Sequence, residues 1–217
     1  MTDKRPVIII GSGGHSKVLI AALQQSKRKM LGILSGDPKQ AEINIMGVPV
    51  LGGDESIKEF ASESVELING VGSISIPEKR KDIFIKFKKA GYQFASVIHP
   101  AACIMKDVRL GEGVQIMAGA IVQPGCSIGE NVIINTGAIV DHDCIIGSHV
   151  HIAPGAVLSG GVQIGDLSHV GTAATIIQGI KIGRSTLIGA GAVVHRDMPS
   201  RVKAAGVPAR LLETKPR

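Results

Sequence analysis

His142 lies between two carboxylates in the segment Val140-Asp141-His142-Asp143-Cys144. A neighbouring acid can hold one ring nitrogen, fix the tautomer and raise the basicity of the other, which makes a histidine a general base near neutral pH. The plainer alternative is a surface histidine in a polar turn. His149, His151 and His169 follow, and His151 and His169 are eighteen residues apart. A second group able to do chemistry is Gly11-Ser12-Gly13-Gly14-His15. Glycines there allow close backbone approach, and the amides and dipole at a helix start can hold a phosphate. Ser16 stands where a G-x-G-x-x-G fingerprint has its third glycine, so a dinucleotide signature is incomplete. Asp37 follows about 20 residues later, where an acidic residue commonly meets a ribose. A pyrophosphate-bearing nucleotide that is not a dinucleotide fits both facts, and a tight strand-to-helix turn without a ligand is the alternative.

The elements that position these groups obey two different periods. From Ile98 to Val194 every sixth residue is Ile, Leu or Val, and the residue two places earlier is small or β-branched, as at Ala120, Cys126, Val132, Ala138 and Cys144. Residues two apart in an extended strand face the same side. Each hexapeptide therefore sends two side chains into one core and then turns near Gly111, Gly129, Gly147, Gly165, Gly183 or Gly189. This period predicts a parallel β-helix of about six coils. His142 falls at a turn and should point outward. Cys126 and Cys144 fall at inward positions, as small core fillers rather than a disulfide, a metal clip or a nucleophile. One coil takes three hexapeptides, so His151 and His169 should stack about 4.8 Å apart. Histidines between subunits of a β-helix trimer can hold zinc. Here a third histidine in matching phase is missing and His149 is out of phase with His151, so no metal is expected.

Before residue 95 the hexapeptide period is absent. Val7–Ile10, Met30–Leu34 and Val65–Asn69 read as strands, with Ser35-Gly36-Asp37-Pro38 as an exit turn. Ser16–Gln25 reads as a helix with Val18, Leu19, Ala22 and Leu23 inward. Asp54–Phe60 reads as one capped by Asp54, and Pro77–Ala90 as one with Ile83, Phe84 and Phe87 inward. Alternating strands and helices imply a small parallel sheet, a half-sized relative of the dinucleotide fold. The expected division is 1–95 for this α/β domain, 96–197 for the β-helix and 198–217 for a tail that covers the open end of the coil.

Composition narrows the function classes. The chain has 217 residues, 44% hydrophobic and 19% charged, which fits a folded protein. Four Phe, one Tyr and no Trp suit a narrow prism filled by aliphatic side chains. The net charge of +6 fits anionic ligands, but the basic residues are scattered without an aromatic platform, so nucleic acid is not expected. The apolar run at Val7–Ile10 is too short for a signal peptide, and no stretch approaches the roughly 18 residues of a membrane span. A cytoplasmic location is expected, consistent with three cysteines that cannot all pair.

Several segments together resemble the left-handed β-helix sugar acyltransferases, in the branch that joins a nucleotide-sugar-binding domain to hexapeptide repeats. That branch includes UDP-N-acetylbacillosamine and perosamine N-acetyltransferases and, nearby, sialic acid O-acetyltransferases. The segments are Gly13-Gly14-His15, Ile134-Asn135-Thr136, His142-Asp143-Cys144, the His151 position and Gly206-Val207-Pro208-Ala209. The resemblance implies a Rossmann-like first domain, a left-handed coil and a homotrimer with active sites between subunits. It implies His142 as general base with Asp143 as its partner, and His151, Thr172 and Ala190 at the acetyl-CoA site. Gly13, Gly14, His15, Asp37, Gly72 and Asn135 fall at substrate positions. Relatives often carry paired acids after the second strand, where this chain has Ser35-Gly36 before Asp37. The implied reaction moves acetyl from acetyl-CoA to the 4-amino group of a UDP-linked amino-sugar, without a covalent acyl-enzyme. O-acetylation of a sialic acid or other sugar hydroxyl is the close alternative. A zinc-dependent β-helix hydratase and a non-catalytic trimeric scaffold are the more distant ones.

Overall fold

The computed structural model describes residues 5–37 and 44–213 and divides them into two units. The first comprises residues up to Gly72 together with Lys79–Pro100, and the second comprises Ser73–Glu78 together with the chain from Ala101 onward. Among the described residues no helix is long and apolar enough to cross a membrane.

The first unit is a sheet of order β3-β4-β2-β1-β5. Its strands are β1 (Val7–Ile10), β2 (Met30–Leu34), β3 (Asn44–Ile45), β4 (Val48–Gly52) and β5 (Glu66–Asn69), with helices α1 (Gly14–Gln25) and α2 (Glu78–Lys89). Strand β1 pairs in parallel with both β2 and β5, so the strand order reverses at β1. In open α/β sheets, ligands bind at the carboxyl ends of strands beside such a reversal. The core contains Ile8, Ile10, Leu34, Leu67, Phe84 and Phe87, and the Phe84 ring lies 4.5 Å from that of Phe94. The expected strands and helices are present, but β3 and β4, between the exit turn and Asp54, were not legible in the sequence. Pro38 of the exit turn lies outside the described residues.

Three local expectations are corrected. The inward face of α1 is Ser16, Leu19, Ile20, Ala22 and Leu23, whereas Val18 is exposed. A stripe at i, i+3, i+4 and i+7 starting from Ser16 selects this set and leaves Val18 outside. The segment Asp54–Glu59 is a 3₁₀ helix whose N-cap is Gly53, with Asp54 already inside its first turn. Ile98, the first residue of the hexapeptide series, is exposed, and burial is complete only from Val114 onward. An initial repeat has no coil stacked before it to close the prism around it.

The second unit is the expected β-helix. Two-residue strands recur on three faces, and strands one coil apart pair in parallel and in register, as Ile121 with Ile139 and Ile139 with Val157. One face carries six strands and another five. The third runs through Ile133–Ile134, His151–Ile152, His169–Val170 and Leu187–Ile188, then continues with Lys203–Ala205 in parallel and Arg210–Leu211 antiparallel. The tail thus supplies the last strands of a face rather than only covering an edge. Ile116, Ile134, Val140, Ile152 and Leu158 are fully buried, with Cys126, Ala138 and Cys144 beside them. Burial of each large aliphatic side chain contributes about 1.5–3 kcal/mol. The glycine at Gly111 is required by a close approach: a Cβ there would stand 2.6 Å from the amide nitrogen of Glu130 on the next coil.

Candidate active site

The turn that carries His142 is pinned from inside the prism. The Cys126 thiol donates to the Asp141 carbonyl (3.0 Å) and the Cys144 thiol to the Ser159 carbonyl (3.3 Å). Both thiols are buried, and burial pushes Cys144 up to about 12, so it is no nucleophile near neutral pH. The Asp141 carboxylate accepts the His142 backbone N–H at 2.7 Å, closing the turn. Asp143 then takes a left-handed conformation with φ of 58°. The equivalent positions on neighbouring coils are Gly125, Gly161 and Gly179, all at positive φ. A carboxylate at a position otherwise filled by glycine costs backbone strain and places a charge beside the histidine.

The result is a bond of 2.9 Å between His142 Nδ1 and Asp143 Oδ2. An ionised carboxylate only accepts, so Nδ1 carries the proton and Nε2 keeps its lone pair. The imidazole is half exposed, with its ring outward as the repeat register requires. The bond to Asp143, assisted by the charges of Asp141 and Asp143, holds its pKa above the ordinary histidine value despite an opposing desolvation effect. This is a base with one nitrogen tied and the other open to an incoming proton.

Asn135 precedes the strand Ile139–Val140 that leads into the His142 turn. Thr172 and Ala190 occupy turns on the same corner as Asn135, on later coils, and both are exposed. Within one chain, therefore, His142 and Asp143 lie at one end of a face, and Asn135, Thr172 and Ala190 at the other. His151 is buried: its Nε2 accepts from Asn135 Nδ2 (3.1 Å), and its Nδ1 donates to Ser73 Oγ (2.9 Å). Its ring stacks edge-on against His169, with centroids 4.9 Å apart, as the eighteen-residue spacing required. Burial pushes His169 down to about 4, so that ring is neutral near pH 7. Among the described residues no group of three or more His, Cys, Asp or Glu is arranged to hold a metal ion.

In the first unit, a cavity of about 700 Å³ opens at the carboxyl ends of β1 and β2, lined by Gly11, Ser35, Gly36 and Asp37 together with Lys79 and Lys86. Lys86 is paired with Asp54 at 2.5 Å. The serine that replaces the third fingerprint glycine has a structural role. Ser16 is fully buried, and its hydroxyl lies 2.6 Å from the Gly11 carbonyl and 3.0 Å from that of Gly70, bridging the loops after β1 and β5. Arg80 reinforces the second loop from inside, donating to the carbonyls of Asn69 (2.7 Å) and Val71 (2.9 Å). Its burial pushes its pKa down to about 9.

The glycines of this unit are required for different reasons. Gly11 has φ of 96°, and a Cβ there would stand 2.9 Å from the Val71 side chain, so the fold itself needs a glycine. Gly13 and Gly14 have ordinary φ, and a Cβ on either would meet nothing within 4 Å. The protein makes no demand for glycine at those two positions, which leaves the space above them for something else. A Cβ at Gly72 would come 3.1 Å from the His15 Cβ, which places the loop after β5 against the start of α1. Sequence reasoning found the glycine loop, Asp37 and Gly72 but missed Ser16, Lys79, Lys86 and Arg80. Ser16 could have been found, because it heads the inward stripe of α1. The other three depend on how α2 packs.

Comparison with known proteins agrees with this geometry. The PglD N-terminal domain family matches residues 6–87, and the bacterial transferase hexapeptide family matches 107–142 and 125–160. Perosamine N-acetyltransferase from Caulobacter crescentus, solved with CoA and GDP-perosamine, is 39% identical with a TM-score of 0.89, over 96% of this chain and 97% of that one. The acetyltransferase domain of PglB from Neisseria gonorrhoeae, solved with acetyl coenzyme A, is 34% identical with a TM-score of 0.89, over 96% and 100%. WeeI from Acinetobacter baumannii is 25% identical with a TM-score of 0.80, over 96% and 100%. No curated protein matches the chain by sequence. The fold is a Rossmann-like α/β domain followed by a left-handed β-helix. The chain belongs to the PglD-like sugar N-acetyltransferases of the hexapeptide-repeat class, which use acetyl-CoA as cosubstrate.

Proposed function

We propose that the protein transfers acetyl from acetyl-CoA to the 4-amino group of a UDP-linked amino-sugar, with His142 as general base. The observation that carries this reading is the His142–Asp143 pair, which leaves Nε2 open at an exposed corner of the β-helix. In the ternary complex the acceptor amine lies about 3 Å from the thioester carbon, so that two bound substrates react as one. The amine nitrogen attacks that carbon while His142 Nε2 takes its proton, and Asp143 stabilises the imidazolium. The tetrahedral intermediate then expels the CoA thiolate, which recovers the proton from His142.

The first unit holds the nucleotide. The pyrophosphate lies over Gly13 and Gly14 at the start of α1, His15 and Gly72 flank the sugar, and Asp37 faces the ribose or base. Asn135, Thr172 and Ala190 serve acetyl-CoA and the acceptor. They share a face with His142 but lie at its other end, so a complete site draws these groups from two chains, which is the reason to propose a homotrimer. His151 joins the coenzyme site by exchanging its Ser73 bond for the acetyl carbonyl. Both substrates belong to cytoplasmic pools, and the enzyme is assigned there. A second reading, a GDP-linked acceptor, is favoured by the GDP-perosamine bound to the Caulobacter relative.

Thiol release from acetyl-CoA, measured against UDP-, GDP- and dTDP-linked amino-sugars, tests the acceptor. Turnover with the UDP-sugar supports the first reading, turnover confined to the GDP-sugar the second, and turnover only with a free sialic acid overturns both. His142→Ala should lower kcat by on the order of 10²–10⁴ with little change in either KM. Near-native turnover by that variant would remove His142 from the mechanism.

A further inference from the structure

Lys106, Pro124, His142, Gly160 and Gln178 occupy one turn position on successive coils of the β-helix. Four carry side chains and one does not. The backbone gives no reason for the exception, because Gly160 lies outside the positive-φ region that favours glycine. Tight packing of the coils gives none either. The only atoms that a Cβ at Gly160 is recorded to meet belong to the imidazole of His142: Cε1 and Nε2 at 2.4 Å, and Cδ2 at 3.0 Å. The ring therefore lies over the bare Cα of the next coil, in the volume that a side chain would otherwise fill. The two turns are joined at this point, since the Gly161 N–H donates to the His142 carbonyl at 2.8 Å. The Cys144 thiol holds the carbonyl of Ser159, which precedes Gly160. The floor beneath the ring is thus fixed in place.

We infer that Gly160 is a positioning residue: by leaving that volume empty, it lets the His142 ring lie where Nδ1 reaches Asp143 and Nε2 stays open. The consequence for catalysis rests on the reading of His142 as the base, whereas the placement of the ring does not. A methyl group at position 160 forces the ring away. The atoms displaced are the far end of an exposed side chain that can swing outward, so the coil itself has no need to move. A ring turned away loses its Asp143 bond and with it the support for its raised pKa.

The test is Gly160→Ala, read in two ways in the full-length enzyme. NMR titration follows the His142 imidazole, its signal assigned by its loss in His142→Ala. Steady-state kinetics gives kcat and the KM for acetyl-CoA. The expected result is a His142 pKa lowered toward the ordinary histidine value. With it comes a fall in kcat on the order of 10², since small misplacements of a reacting group have effects of that size, and a KM within about twofold of wild type. Gln178→Ala, at the same turn position one coil further on, should leave both readouts unchanged. In a His142→Ala background, Gly160→Ala should have no further effect on turnover. An unchanged His142 titration in Gly160→Ala overturns the inference, whatever the turnover does. A lowered pKa with native turnover upholds the placement of the ring and instead removes His142 as the base, so the two failures are distinguishable.

Discussion

At the scale of single residues, reactivity is set by neighbours at the same turn. His142 must be neutral at Nε2 to accept a proton, and its bond to Asp143 holds its pKa above the ordinary histidine value. Activity should therefore fall on the acid side as pH drops through that raised pKa, because the protonated ring can no longer act as a base. Asp143→Asn removes the strongest support for the protonated form. The acid limb of the kcat/KM profile should then shift to lower pH, with a loss in kcat smaller than that of His142→Ala. An unshifted limb would mean that another group is titrating. The sequence made this pair legible, since acids flanking a histidine are adjacent in the chain. It did not make Gly160 legible, although adding one coil length to 142 gives that position. A lone glycine among many turn glycines carries no signal until the column of equivalent residues is compared.

At the scale of elements, the β1–α1 junction separates glycines that the fold needs from glycines that it does not. Gly13 is the N-cap of α1 with an extended conformation open to any residue, and its missing side chain faces empty space. Gly13→Val should thus cost little stability yet fill the volume assigned to the pyrophosphate. The expected outcome is a large rise in KM for the nucleotide-sugar with an unchanged Kd for acetyl-CoA, as calorimetry can measure directly. Equal weakening of both ligands would mean that the loop supports only the fold. By contrast, Ser16 bridges two loops whose carbonyls lie 5 and 54 residues away in sequence. Its helix position was readable from periodicity, but its second partner, Gly70, was not.

At the scale of the whole molecule, the prism of the second unit is held by repeated small gains rather than by one large contact. Ile152 is fully buried between Ile134 and Val170 on the adjoining coils. Ile152→Asp places an unpaired carboxylate in an apolar column, at a cost of several kcal/mol. Loss of cooperative unfolding and of soluble protein is expected, to be followed by thermal denaturation and size-exclusion chromatography. A native-like melting curve would contradict the register. No comparable periodic signal marked the Asn44–Gly52 hairpin of the first unit. Its strands are short, and β4 is held through its pairing with β2 at one edge of the sheet.

By itself, the sequence determined the β-helix, its register, the inward cysteines, the outward His142 and the stacking of His151 on His169. Each follows from a period of six residues and a coil of eighteen, and a repeat makes distant contacts predictable from local spacing. Only the tertiary structure decided what depends on side chains meeting across coils or loops. The His142 ring rests over Gly160, both nitrogens of His151 are engaged by Asn135 and Ser73, and Arg80 is buried beneath the loop after β5. Such contacts are fixed by rotamers and by the packing of non-repeating segments. No period in the chain encodes them.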